Sequence, residues 1–291
     1  MSELRKIKRK DLDLEKYSKA INDALNYRIY AEYWYLDILT KEKWECWIYG
    51  NYEAVMPVPL QYKFGFKFVL QPIYCQQLGV FYKDEIPDEL FREFEKKLHR
   101  YRVRAYHFNE ENTECYKPEG ERRVNYVLDL NRPYEEVYKR FRKDRKKNII
   151  KVDTLDFELS INTDYTQYFK LIQKNYPHLY QFIENNEKFF QTLDKRNCLI
   201  QYSICIDGII NNHRVFMVSK NRIYAIASAR NKKSEVKLDF STYLFSVIIQ
   251  EFAGQKRLLD FEGSMNLNIA DFNNSFGSEK RDYTHYSNIR F

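Results

Sequence analysis

The chain has 291 residues, a formal net charge of +7, 44% hydrophobic and 17% aromatic residues, enough apolar material for the cores of two ordinary domains. No apolar run approaches the ~18 residues that a membrane-spanning helix needs, and Cys46, Cys75, Cys115, Cys198 and Cys205 form no C-x-x-C pair, which excludes a zinc ribbon or a disulfide framework. The basic stretch Met1–Lys10 runs into Asp11, Leu12, Asp13 and Leu14 without an apolar h-region, so a cytoplasmic protein with reduced thiols is expected.

Residues 16–39 predict a helix, with Ala20, Ile21, Ala24 and Leu25 on one face. Trp44–Tyr49 and Tyr52–Met56 predict a hairpin turning on Gly50-Asn51, with Pro57 and Pro59 ending or edging its second strand. A short strand at Phe64–Leu70 follows. Pro87 opens a helix to about Tyr101, and Val103–Phe108 and Asn125–Leu130 are strands. A helix from Pro133 to about Asn148 leads into a second half of similar plan. There, strand Phe157–Ile161 precedes helices near 164–175 and 186–196. Strands Cys198–Ile206, Ile209–Ser219 and Arg222–Ala229 form a meander turned first by Asp207-Gly208. A helix over Phe240–Ala253, strand Leu258–Phe261, helix Asn268–Phe276 and strand Glu279–Tyr286 complete the chain. The expected fold is therefore α/β (α+β), with two modules of like element order at 1–131 and 132–291.

Four stretches carry candidate chemistry. Leu258–Phe261 delivers Asp260 and Glu262 on one face and Phe261 on the other, with Gly263 free to turn sharply or admit a ligand and Ser264 beside it. Ile269, Phe272 and Phe276 then mark the buried side of the next helix, which Gly277 stops. Asp260 serves either the chemistry or a structural ion pair. Upstream of helix 240–253, Arg230, Lys232, Lys233 and Lys237 gather at a helix N-terminus, where free N–H groups favour an anion; Ser241 or Asp239 is its cap. The run Lys139, Arg140, Arg142, Lys143, Arg145, Lys146, Lys147 and Lys151 contains one acid, Asp144, and suits RNA or a phospholipid surface, or is simply a solvated face. Gln71, Tyr74, Gln76 and Gln77 interrupt an apolar segment; they bind the peptide or hydroxyl groups of a substrate, or tie loops together. None of the five histidines sits in a nucleophile or metal pattern.

Several of these stretches are similar to one known group. Asp260-Phe-Glu-Gly-Ser264 followed by Ile269-Ala-Asp-Phe-Asn-Asn-Ser-Phe-Gly-Ser278 resembles the closing segment of GNAT-fold acyltransferases, most of all the branch related to the Fem peptidyl transferases. Ala54-Val-Met-Pro-Val-Pro59, Gln71-Pro-Ile-Tyr-Cys-Gln-Gln-Leu-Gly79 and Arg145-Lys-Lys-Asn-Ile-Ile-Lys151 fit the same group, so the resemblance spans residues about 44–286. It implies tandem GNAT-like modules, each a mixed, mostly antiparallel sheet flanked by helices, with a cleft between them. It also implies transfer of an acyl or aminoacyl group to an amine, with acyl-CoA or aminoacyl-tRNA as co-substrate, no tightly bound cofactor, and a lipid-linked substrate or tRNA among the partners. The usual pyrophosphate-cradling loop, Gln/Arg-x-x-Gly-x-Gly/Ala, is missing between Ser228 and Phe240, and no heptad run supplies a coiled-coil arm. Within this scheme Glu262, at a strand end beside a tight turn, is the expected base or amine ligand, and Asp260 the second catalytic candidate. The other reading is a GNAT-like binding module that has lost catalysis and holds an anionic ligand.

Overall fold

The computed structural model describes residues 3–63, 65–161, 164–179, 186–236 and 238–289; Phe64 and Lys237, both named above, lie outside them. The chain divides into two compact units. One is Met1–Val124 together with Arg281–Phe291, the other Asn125–Lys280.

The first unit begins with β1 (Leu4–Lys8), α1 (Leu14–Asp23), α2 (Tyr33–Thr40), β2 (Trp44–Tyr49), β3 (Ala54–Lys63), β4 (Phe66–Leu70) and β5 (Phe81–Tyr82). It continues through α3 (Asp88–His99), β6 (Val103–Phe108) and α4 (Glu110–Tyr116). Its strand order is β1-β2-β3-β4-β6, with β5 beside β3, and the last strand of the chain, β13 (Glu279–Tyr286), pairs with β6 through Thr284–Tyr286. Among the described residues the strands of this unit pair antiparallel except β4 with β6, which α3 connects, and Leu78 adds an isolated parallel bridge to Phe108.

The second unit takes in β7 (Glu121–Asp129) from Asn125, then α5 (Tyr134–Lys139), α6 (Lys143–Asp153), β8 (Glu158–Ile161), α7 (Thr166–Asn175) and α8 (Glu187–Lys195). β9 (Leu199–Ile206), β10 (Ile209–Val218), β11 (Arg222–Arg230), α9 (Phe240–Phe252), β12 (Leu258–Asp260) and α10 (Leu267–Asn274) follow. The order is β7-β12-β11-β10-β9-β8, again antiparallel except for one pair, β11 with β12, joined by α9. Each unit is thus a mixed, mostly antiparallel sheet with a four-strand meander, a crossover helix and one parallel strand. Alternation along the strands separates two faces. Tyr202, Ile204, Phe216, Ile223, Leu259 and Phe261 join Leu244, Phe245 and Ile248 of α9 in one core. Ser203, His213, Arg222 and Asp260 belong to the opposite set of alternating positions and are equally buried.

Several departures from the sequence reading have clear causes. The single helix expected over 16–39 is two, because Ala24 leaves the helical region and the next turn is tied elsewhere. Asn26 donates to Val80 O at 2.8 Å, and Arg28 reaches Glu110 at 3.3 Å and Glu111 at 2.7 Å. The helix expected from Pro133 breaks at Arg140–Arg142, where Gly277 packs so closely that a Cβ there would stand 2.5 Å from Arg140 Cβ and Arg142 N donates to Ser275 O at 2.9 Å. Pro57 and Pro59 do not end β3. Leu60 N donates across to Lys43 O at 2.8 Å, so even-numbered N–H groups face β2. The missing donors at 57 and 59 fall on the other edge, between β5 at Ala54–Val55 and β4 at Leu60–Lys63. The turn at Gly50 has four residues, since Tyr49 pairs with Ala54. Ile269 is 49% exposed rather than packed with fully buried Phe276. β1, β5 and α4 carry no periodic signal long enough to read.

Candidate functional site

In the second unit, β11 and β12 pair only over Arg222–Tyr224 and Leu258–Asp260. Beyond that point β11 continues to Arg230 against β10 alone, while β12 stops. The two parallel strands part where Asp260, Glu262 and Ser264 stand. Asp260 is 1% exposed and forms an ion pair with Arg222, equally buried, at 2.7 Å. Its other oxygen accepts from Asn125 Nδ2 at 3.0 Å and from Glu262 N at 2.9 Å. Asp260 therefore fixes the turn that follows it. Glu262 has φ +63° and Gly263 φ +56°. A glutamate in the left-handed region costs on the order of 1–3 kcal/mol, held here by its N–H bond to Asp260. The Glu262 carboxyl-bearing side chain is half-buried. Ser264 Oγ accepts from Asn266 N at 3.0 Å, and Asn266 caps α10.

At the other end of β11, a cavity of about 200 Å3 lies against the N-terminus of α9. Arg230, Lys232 and Ser241 line it, with Asn211, Asn212 and Asp239; Lys233 does not. The Lys232 ammonium lies 3.9 Å from the Tyr176 ring centre. Asp239 is the cap. One carboxylate oxygen accepts from Ser241 N at 3.0 Å and Thr242 N at 3.3 Å, and the other from Thr242 Oγ1 at 2.7 Å. Arg145 seals the arrangement, donating to Asp239 and Thr242 Oγ1 at 2.8 Å each. The helix terminus already holds a carboxylate of its own chain, which repels a second anion at the same N–H groups. Arg142 likewise pairs with Asp144 at 2.7 Å and Asp271 at 2.8 Å, pairs that pull both carboxyl groups below the usual range. Lys146 donates to Lys139 O at 2.9 Å. Much of the basic run thus has partners within its own unit. Arg214 on β10 contrasts with it. Its guanidinium lies 4.2 Å from the Phe245 ring centre, and desolvation lowers its pKa to about 10.

The glutamine segment belongs to the first unit, between β4 and β5. Gln71 donates to Cys75 O at 2.8 Å and accepts from His107 N at 3.3 Å. Gln77 is fully buried, accepts from Glu110 N at 3.1 Å and donates to Gln76 Oε1 at 2.8 Å and Glu110 Oε1 at 3.2 Å. Gln76 O meets His107 Nδ1 at 2.7 Å; burial lowers that histidine to about 3, so the ring is neutral. Tyr74 has φ +61° and its carbonyl accepts from Tyr35 OH. Gln71, Gln76 and Gln77 thus share one network with His107 and Glu110.

The sequence reading offered Asp239 as a cap of α9 and missed Arg222, Asn125 and the part Arg145 plays in holding that cap. A lone arginine opening an otherwise apolar strand, Arg222-Ile-Tyr-Ala-Ile, was the available signal for a buried counter-charge to Asp260. Nothing local announced Asn125, which lies 135 residues away from Asp260. Among the described residues no group of three or more His, Cys, Asp or Glu is placed to hold a metal ion, and no helix is long and apolar enough to cross a membrane.

No protein-family model matches the chain and no curated protein matches it by sequence. Solved structures do match its fold. A crystal structure of FemX aligns over 97% of this chain and 97% of its own, with a TM-score of 0.65 at 9% identity. L-PGS from Bacillus licheniformis aligns over 94% of this chain and 91% of its own, with a TM-score of 0.54 at 11% identity. A tandem GNAT protein from the clavulanic acid biosynthesis pathway covers 99% of this chain and 100% of its own, with a TM-score of 0.53 at 11% identity. The chain has the GNAT fold, shared with these structures.

Proposed function

We propose that the protein is an acyltransferase that moves an acyl or aminoacyl group to an amine, with Glu262 as general base and the modules 1–131 and 132–291 as its two GNAT-like repeats. The observation that carries this reading is the strained Glu262–Gly263 turn at the point where β11 and β12 part, buttressed from below by the Asp260–Arg222 pair. In the reaction the amine nitrogen bonds to the donor's carbonyl carbon. Glu262 accepts the amine proton, the carbonyl oxygen carries the transient negative charge, and the donor's C–O or C–S bond breaks as a proton returns to the leaving group. Asp260 is a positioning residue, acting through the Glu262 N–H.

The donor we favour is an aminoacyl ester such as aminoacyl-tRNA. An acyl-CoA would bring its pyrophosphate to the N-terminus of α9, where the Asp239 carboxylate already accepts from Ser241 and Thr242. Gln71, Tyr74, Gln76 and Gln77 are proposed for an acceptor's polar groups, and Arg230 and Lys232, which line the cavity beside the Asp239 cap, for the phosphates of the donor. The same Asp239 cap favours a second reading, a GNAT-like module that binds without transferring. A panel of aminoacyl-tRNAs and acyl-CoAs with amine acceptors, read by mass spectrometry, tests both. Transfer from an aminoacyl-tRNA is the expected result; binding without transfer by any donor favours the second reading.

A further inference from the structure

A larger cavity, of about 690 Å3, lies wholly within the first unit, among α1, the β2–β3 turn and the start of α3. Its size falls in the range of small-ligand sites. Tyr49, Tyr52, Ile86 and Leu90 supply apolar lining. Tyr52 is held there at some cost. It has φ +72°, a conformation uncommon for a bulky residue, and it is 8% exposed with its hydroxyl accepting from Asp13 N at 3.2 Å.

The rim is charged, and its charges are unevenly paired. Lys19 pairs with Asp23 at 3.1 Å, and Lys16 with Asp13 at 3.9 Å. Glu53, Asp84 and Glu85 also line the cavity and form no ion pair among the described residues. The one lysine of the lining left without such a pair is Lys83. Three unpaired carboxylates therefore face one unpaired ammonium, on a protein whose overall charge is +7. A rim whose unpaired charges are mostly carboxylates, over a lining of Tyr49, Ile86 and Leu90, selects a cation with an apolar body, since the carboxylates attract its head and the apolar lining covers its body.

We propose that this groove binds a small organic cation, an ammonium carried on an apolar body. The proposal stands apart from the transfer reaction and needs none of the residues assigned to it. Three probes of similar shape test it on the full chain by calorimetric titration: phenethylamine, its neutral analogue phenethyl alcohol and the anionic hydrocinnamate. The amine is expected to bind about tenfold tighter than the anion at low salt, and the gap narrows at high salt. Combined E53Q, D84N and E85Q substitutions at exposed positions should weaken amine binding to the level of the alcohol. K83Q should do the opposite and tighten it roughly two- to fivefold, with melting temperatures unchanged in both. Equal binding of amine and alcohol, preference for the anion, indifference to both sets of substitutions, or no binding of any probe would each overturn the proposal.

Discussion

Removing the charge of Asp260 tests how the candidate site is built. Asp260 and Arg222 are each 1% exposed and meet at 2.7 Å. In Asp260→Asn the retained oxygen still accepts from Asn125 or Glu262 N, but the new amide brings donors against a guanidinium that offers only donors. Breaking one member of a buried pair costs about 3–5 kcal/mol, because the remaining charge loses compensation that water cannot replace. Replacing both members by apolar residues, Arg222→Met with Asp260→Leu, removes both charges together and should cost less than the two single changes added together, with a coupling of about 2 kcal/mol. Urea unfolding of wild type, Asp260→Asn, Asp260→Leu, Arg222→Met and the double variant measures each value. A loss under about 1 kcal/mol for Asp260→Asn, or additivity around the cycle, would refute the buried-pair account.

Further outcomes follow from neighbouring geometry. Phe276 is fully buried among Phe141, Phe245, Phe261 and Phe272, with ring centres 5.1–5.6 Å away, so Phe276→Ala should cost about 3–5 kcal/mol in denaturant unfolding, and the half-buried Phe272 less. Gly277 has φ +74° and no room for a Cβ beside Arg140; Gly277→Ala should destabilise by about 1–3 kcal/mol, with the thermal midpoint falling accordingly. His213 is fully buried, bonded to Ser203 Oγ at 2.7 Å and Gln201 Oε1 at 3.1 Å, and desolvation lowers its pKa from 6.5 to about 4. The unfolded chain takes up this proton first as pH falls, so its share of stability, about 3 kcal/mol, is present above pH 6.5 and lost on the way down to about 4. Urea melts across that range should show a flatter pH dependence for His213→Gln.

The meander strands of both halves, β1 excepted, were legible because alternation and turn residues act locally: Asp207-Gly208 joins β9 to β10 as its composition predicts. The segment from Ala24 to Ala31 was not. Its apolar spacing suits a helix, and what breaks it is a set of side-chain bonds to Val80, Glu110 and Glu111, more than fifty residues away in sequence. The same limit governs the site. Asp260 and Glu262 could be picked out as acids at a strand end before a glycine, but the cation that claims Asp260 comes from a parallel neighbour strand, and the acid that caps α9 is held by an arginine from α6. Charge counted along the chain left residues 139–151 as either an anion-binding run or a solvated face. Folding spends Arg142 and Arg145 on Asp144, Asp239 and Asp271 instead.

The central claim is that Glu262 takes the proton from an amine attacking an aminoacyl donor. Single-turnover transfer from aminoacyl-tRNA, measured alongside the melting temperature on the same samples of wild type and Glu262→Gln, tests it most directly. The account predicts transfer by wild type, a rate lower by on the order of 10²–10⁴-fold in the variant, and an unchanged melting temperature. Equal rates in the two proteins, or a variant whose only loss is in stability, would contradict it.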